Sequence, residues 1–250
     1  LGPKAQPAFD DLRACLGSTD RALRINAVSA LGYTDDARAV APLLAMTASD
    51  SFDDPCDLVH RYIAMALFEE KDSLKTKALG ADRELLLKAT RRFLRSSSAQ
   101  CRTIMALNVV NTLSFAEVKN LWPDLKYACD THANGYNTFI QMEVLRIMAD
   151  NHVKEGIDRC VWYLTNMKGH GSQDRVPVVL DYLRRYGAHA KSTVPRLKEI
   201  AAYFEAGPDD FPKDLSLGKA AQVRDTIRAL EATDDTQKDQ IALVSIEEKK

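Results

Sequence analysis

The stretch DTHANGYNTF, Asp130 to Phe139, gathers His132, Asn134, Tyr136 and Asn137 within a few positions. An imidazole, a phenol and two amides so close can polarise a carboxylate and move protons, the chemistry a sugar-cleaving lyase needs. His170, set between Gly169 and Gly171, is a second loop histidine, so His132, Tyr136 and His170 define one candidate pocket. A plainer reading is preferred. Asn134-Gly135 is a strong turn former, and Asn137-Thr138 can cap the helix that follows. His60, His152 and His189 are dispersed, and no histidine has a partner at metal-ligand spacing. The sequence predicts no metal and no cofactor.

Charge is patterned rather than biased. SDSFDDPCD, Ser49 to Asp57, offers carboxylates for calcium but lacks the alternation and the Gly of an EF-hand loop. Helix capping and solubility account for it better. KATRRFLR, Lys88 to Arg95, spaces its cations three and four apart, so Arg91, Arg92 and Arg95 fall on a stripe. Such a stripe grips phosphate or an acidic partner, or simply faces water with some benefit from the helix dipole. With 34 basic and 35 acidic residues the net charge is −1, which argues against a general nucleic-acid binder. No apolar run approaches the roughly 20 residues a membrane span needs. The chain begins Leu1-Gly2-Pro3 and reads as a processed or excised piece, cytoplasmic or exported with its signal removed.

Five cysteines, Cys15, Cys56, Cys101, Cys129 and Cys160, form no CxxC pair, and their odd number argues against a disulfide framework. Each lies in or beside an apolar helical pattern, so buried and reduced is the expectation. Trp162 and Tyr163 cannot both face a core, because adjacent helical positions differ by about 100°. One of them, or Tyr182 or Tyr186, should be exposed, and an aromatic beside an arginine is common hot-spot chemistry.

The elements that must position these groups are helices. Gly and Pro are few, Leu and Ala dominate, and long β-branched runs are missing. The spacing predicts helices over 3–16, 21–31, 36–48, 55–70, 81–95, 99–113, 115–130, 139–149, 153–167, 175–186, 193–206 and 220–231, with 71–79 looser. Asp20, Asp35 or Asp36, and Asp54 serve as caps, and Pro123 marks a kink or break. GPDDFPKDLSLG is a loop, and IALVSI in the polar tail docks along the final pair. LRINAVSAL, Leu23 to Leu31, aligns with VHRYIAMAL, Val59 to Leu67, 36 positions on. Pairs of 35 to 43 residues fall in the window of two-helix repeats.

STDRALRINAVSALG, Ser18 to Gly32, and more loosely DDPCDLVHRYIAMAL and SSAQCRTIMALNVV, resemble HEAT repeats of the bacterial PBS-lyase HEAT-like kind. The resemblance covers 1–113 best, leaves 114–233 as degenerate repeats and 234–250 as a tail, all in one domain over 1–250. It implies an all-α fold, a right-handed superhelix of about six antiparallel helix pairs whose small residues let neighbouring backbones approach. Its usual role is non-catalytic binding or scaffolding of a protein partner through a concave face, as a module of a longer bacterial protein. His60 would then hydrogen-bond the loop of a neighbouring repeat. The inner helices would present Arg61, Arg91, Arg92, Arg95, Tyr136, Arg184 and Arg185. The alternative is an enzyme built on helical pairs, a polysaccharide-acting toroid or a DNA glycosylase.

Overall fold

The computed structural model describes residues 2–49, 54, 57–130, 137–166, 172–207, 212–236 and 241–247. These form thirteen α-helices joined by turns and short 3-10 segments, with one isolated parallel bridge and no strand. The all-helical class expected from composition is the one the backbone adopts. The chain partitions into two compact units, Leu1–Gln141 and Met142–Lys250.

In the first unit α1 (Phe9–Cys15), α2 (Arg21–Thr34), α3 (Val40–Ala48), α4 (Leu58–Phe68), α5 (Asp72–Leu79), α6 (Arg83–Leu94), α7 (Ala99–Asn108) and α8 (Phe115–Asp130) follow in order. Helix α2 packs on α4 and α4 on α7, while α3 packs on α6 and α6 on α8. Contacts of α3 with α4 and of α6 with α7 join the two rows. No single amphipathic helix can bury its own stripe, so the rows do it for one another. Leu31, Leu44, Ile63, Leu67, Phe93 and Ile104 are all buried there.

Several boundaries differ from the sequence reading, each for a local reason. The first predicted helix is a 3-10 segment over Gly2–Ala8 before α1, since Pro7 removes a donor. Gly32 lies inside α2 rather than opening a turn. A Cβ there would stand 2.8 Å from Ala66 Cβ, so the glycine marks where the α2 and α4 backbones approach. Asp35, left-handed at φ 55°, makes the turn instead, and Asp36 caps the 3-10 turn that leads to α3. Helix α8 runs unbroken through Pro123. An interior proline costs roughly 3 kcal/mol, and burial of Leu121, Trp122 and Leu125 around it offsets that.

In the second unit the end of α9 (Asn137–Asp150) leads to α10 (Glu155–Asn166), α11 (Ser172–Arg184), α12 (Val194–Glu205) and α13 (Lys213–Ala232). Helix α10 packs on α11 and α12, and α13 on α11 and α12. The 3-10 segment Gly187–Thr193 touches all four. Helix α13 begins about two turns before its predicted start. There Ser216 Oγ donates to Phe204 O at 2.7 Å, pinning the first turns of α13 to α12. The tail docks as expected but elsewhere: Val244 bridges Val153, between α9 and α10.

Candidate functional site

Helices α2, α4 and α7 each carry a basic-capable residue near the first turn, Arg24, His60 and Arg102. The two arginines act alike. Arg24 Nη1 donates to Ser18 O at 2.7 Å and Thr19 O at 3.2 Å. Arg102 Nη1 donates to Ser96 O at 2.6 Å and Ser97 O at 3.2 Å. Asp20 and Ser98 cap these helices, each four positions before its arginine. The device ties each helix to the loop that enters it. Burial holds the Arg102 guanidinium below its ordinary pKa, and its Nε has no hydrogen-bond partner among the described residues.

His60 varies the device because its loop supplies a carboxylate in place of carbonyls. Its Nδ1 lies 2.6 Å from Asp54 Oδ2, which also accepts the His60 N–H at 2.9 Å. Asp54 Oδ1 accepts the Val59 N–H at 3.1 Å. With Asp54 accepting throughout, the imidazole carries its proton on Nδ1. The sequence sets His60 against a neighbouring repeat's loop, whereas here it turns to the loop of its own helix, where Asp54 waits. Asp54 caps as predicted, but from outside the helix. Helix α4 opens at Leu58, after left-handed Asp57 at φ 52°. Pro55 and Cys56 lie outside the described residues.

Asp57 carries the link onward. Its Oδ1 accepts Arg92 Nη2 from α6 at 2.6 Å, and its Oδ2 accepts the Ser97 N–H at 2.5 Å. Burial opposes the charge of Asp57, yet the Ser97 N–H and Arg92 together hold its carboxyl below the usual range. His60 Nδ1 stands 3.7 Å from the same carboxylate. Burial pulls the His60 imidazole below its ordinary value, and the Arg92 cation adds to that against Asp54 and Asp57.

Two carboxylates and a histidine this close have the composition of a metal site or of a catalytic dyad. The described contacts of these side chains are internal ones. All four carboxylate oxygens already accept protein donors, one of them the Arg92 guanidinium. Cys101, the nearby nucleophile type, is buried and its thiol is pushed up to about 12, chiefly by that burial. At a relative exposure of 1% His60 is closed off from solvent. The cluster is a latch between α4, α6 and the loop entering α7.

The arginines expected on a binding surface divide by partner. Arg92 is held by Asp57, and Arg95, just past the end of α6, pairs with Asp124 on α8. Arg91 donates to Asn120 O at 3.2 Å with Asp124 4.0 Å away. Arg185 pairs with Asp150 and Asp181. Arg61 and Arg184 are exposed, with no ion pair among the described residues. His132, Tyr136 and His170 lie outside the described residues.

Of the adjacent aromatics, Trp162 is 50% exposed and Tyr163 buried, while Tyr182 and Tyr186 are also buried. Sequence reasoning missed Tyr127. It is 42% exposed on α8, with Arg95 Cζ 5.5 Å from its ring centroid. The aromatic-beside-arginine rule was the signal that could have found it. The buried state expected of the cysteines holds for Cys101, Cys129 and Cys160, whereas Cys15 is half-buried. No helix among the described residues is long and apolar enough to cross a membrane.

No family model, no curated protein and no solved structure matches the chain.

Proposed function

We propose that the chain is a non-catalytic binding or scaffolding module of the HEAT-like α-solenoid kind, with a protein as its partner. The alternating rows of the first unit and the Gly32–Ala66 approach support that architecture. One observation carries the functional reading. Among the described residues, the clustered groups with catalytic character, Asp54, Asp57, His60 and Cys101, are buried in internal contacts, while Arg91, Arg95 and Tyr127 are exposed along the α6–α8 face. An arginine over a half-exposed ring is a ready anchor for a partner, worth more once desolvated.

The test uses Arg91→Ala with Tyr127→Ala and leaves Arg92 alone, since Arg92 belongs to the latch. A partner captured by crosslinking is purified, and its affinity is measured for both chains. The variant should bind about tenfold or more weakly, as hot-spot truncations do, with its melting temperature nearly unchanged. Equal affinity would retire this face.

A further inference from the structure

The turn between α9 and α10 both ends a helix and meets the tail. His152, left-handed at φ 49°, closes α9: its N–H donates to Ala149 O at 3.2 Å and the Val153 N–H to Met148 O at 2.8 Å. Its carbonyl and the Lys154 amide both serve the tail. Val244 N–H donates to His152 O at 3.1 Å, and Lys154 N–H donates to Val244 O at 2.9 Å. Glu155, the first residue of α10, accepts the Ser245 hydroxyl and, at 3.4 Å, the Ile246 N–H. His189 Nε2 donates to Ile241 O at 2.8 Å. Ile246 is buried and Leu243 packs on the core of the second unit, while Ala242 and Val244 stay exposed.

The tail pairs with this turn through a single parallel bridge, a reduced form of strand pairing. Main-chain hydrogen bonds hold an extended segment, and side chains on one side of it supply the selection. The tail is held by two apolar anchors, one hydroxyl and its backbone. Nothing in those contacts requires the segment to belong to the same molecule. We propose that the edge made by His152, Lys154, Glu155 and His189 is a recognition site for an extended partner peptide. The peptide would run apolar, any residue, hydroxyl, apolar, and Leu243-Val244-Ser245-Ile246 keeps the edge occupied in cis. The site is separate from the α6–α8 face and goes beyond the reading given for that face.

The test uses the full chain. Val244→Pro with Ile246→Asp removes the donor to His152 O and the buried anchor, freeing the edge. A labelled peptide, IALVSIE, is then titrated into this variant and into the unmodified chain, with helicity followed by circular dichroism. The freed chain should bind the peptide saturably, and the unmodified chain about tenfold or more weakly, because its own tail competes at high effective concentration. Adding Glu155→Ala should weaken the trans binding. Absence of binding by a freed chain of normal helicity overturns the proposal, and so does equal binding by both chains. The milder Ser245→Glu, which sets two carboxylates against each other, serves if the first variant unfolds. Should that variant unfold as well, the tail is a fixed part of the core and the proposal falls.

Discussion

Gly156 has no room for a side chain. A Cβ there would overlap the Tyr186 hydroxyl and reach 2.8 Å from Met148 Cβ. Tyr186 is wholly buried, its hydroxyl has no hydrogen-bond partner among the described residues, and burial pushes its pKa up. Gly156→Ala should therefore lower stability by about 1–3 kcal/mol, as overpacking does. Tyr186→Phe should be neutral or stabilising by up to about 1 kcal/mol, since it removes an unsatisfied group. Urea denaturation of both variants checks the pair, and a large loss in Tyr186→Phe would mean the hydroxyl has a partner. His60 gives the pH prediction. Unfolded, its imidazole takes a proton near its ordinary value of 6.5; folded, burial lets it do so only at lower pH. Between those values the unfolded chain binds more protons, so stability falls as pH drops below about 6.5. The unmodified chain should lose more stability than His60→Gln between about pH 7.5 and 5.5. Parallel curves would contradict the buried neutral imidazole.

Among helices, the first-turn tie predicts a ranking. Arg102 is buried and Arg24 only half-buried, though both hold two loop carbonyls. Arg102→Ala should cost about 2–4 kcal/mol and Arg24→Ala about 1 kcal/mol, because buried acceptors left unpaired carry the full desolvation penalty. Thermal melts in one buffer decide the order, and equal losses would show that the two ties are not the same device. The caps at Asp20 and Asp54 were legible in the sequence. Other features were not, for physical reasons. A glycine at a turn and a glycine at a helix crossing look alike in a single chain, and only the Ala66 backbone beside Gly32 distinguishes them. The 100° rule sends one of Trp162 and Tyr163 outward but does not say which, since that depends on where α10 finds its neighbours. The early start of α13 depends on Ser216 meeting a carbonyl twelve positions away, which no local propensity encodes.

Across the chain, polar ties recur at about one repeat length. Asp35 with Ser73 and Lys77, Asp57 with Arg92 and Ser97, and Arg83 with Glu117 are 34 to 42 positions apart in the first unit. Arg185 with Asp150 and Lys198 with Glu231 are 35 and 33 apart in the second. Apolar periodicity carried the 36-residue step into the sequence reading. The charges that share it stayed hidden, because a pair 35 apart has no signature until a fold juxtaposes it. Arg91, Arg92 and Arg95 looked like one stripe, yet Arg92 points its charge into a latch and Arg95 to a neighbouring helix. The central claim is that the Asp54–His60–Asp57–Arg92 cluster holds helices together. A double-mutant cycle on Asp57→Ala and Arg92→Ala, followed by equilibrium denaturation, tests it most directly. The account predicts a coupling of about 0.5–2 kcal/mol, the range for partners in one network with one member partly exposed. Additive losses, with no coupling, would contradict it.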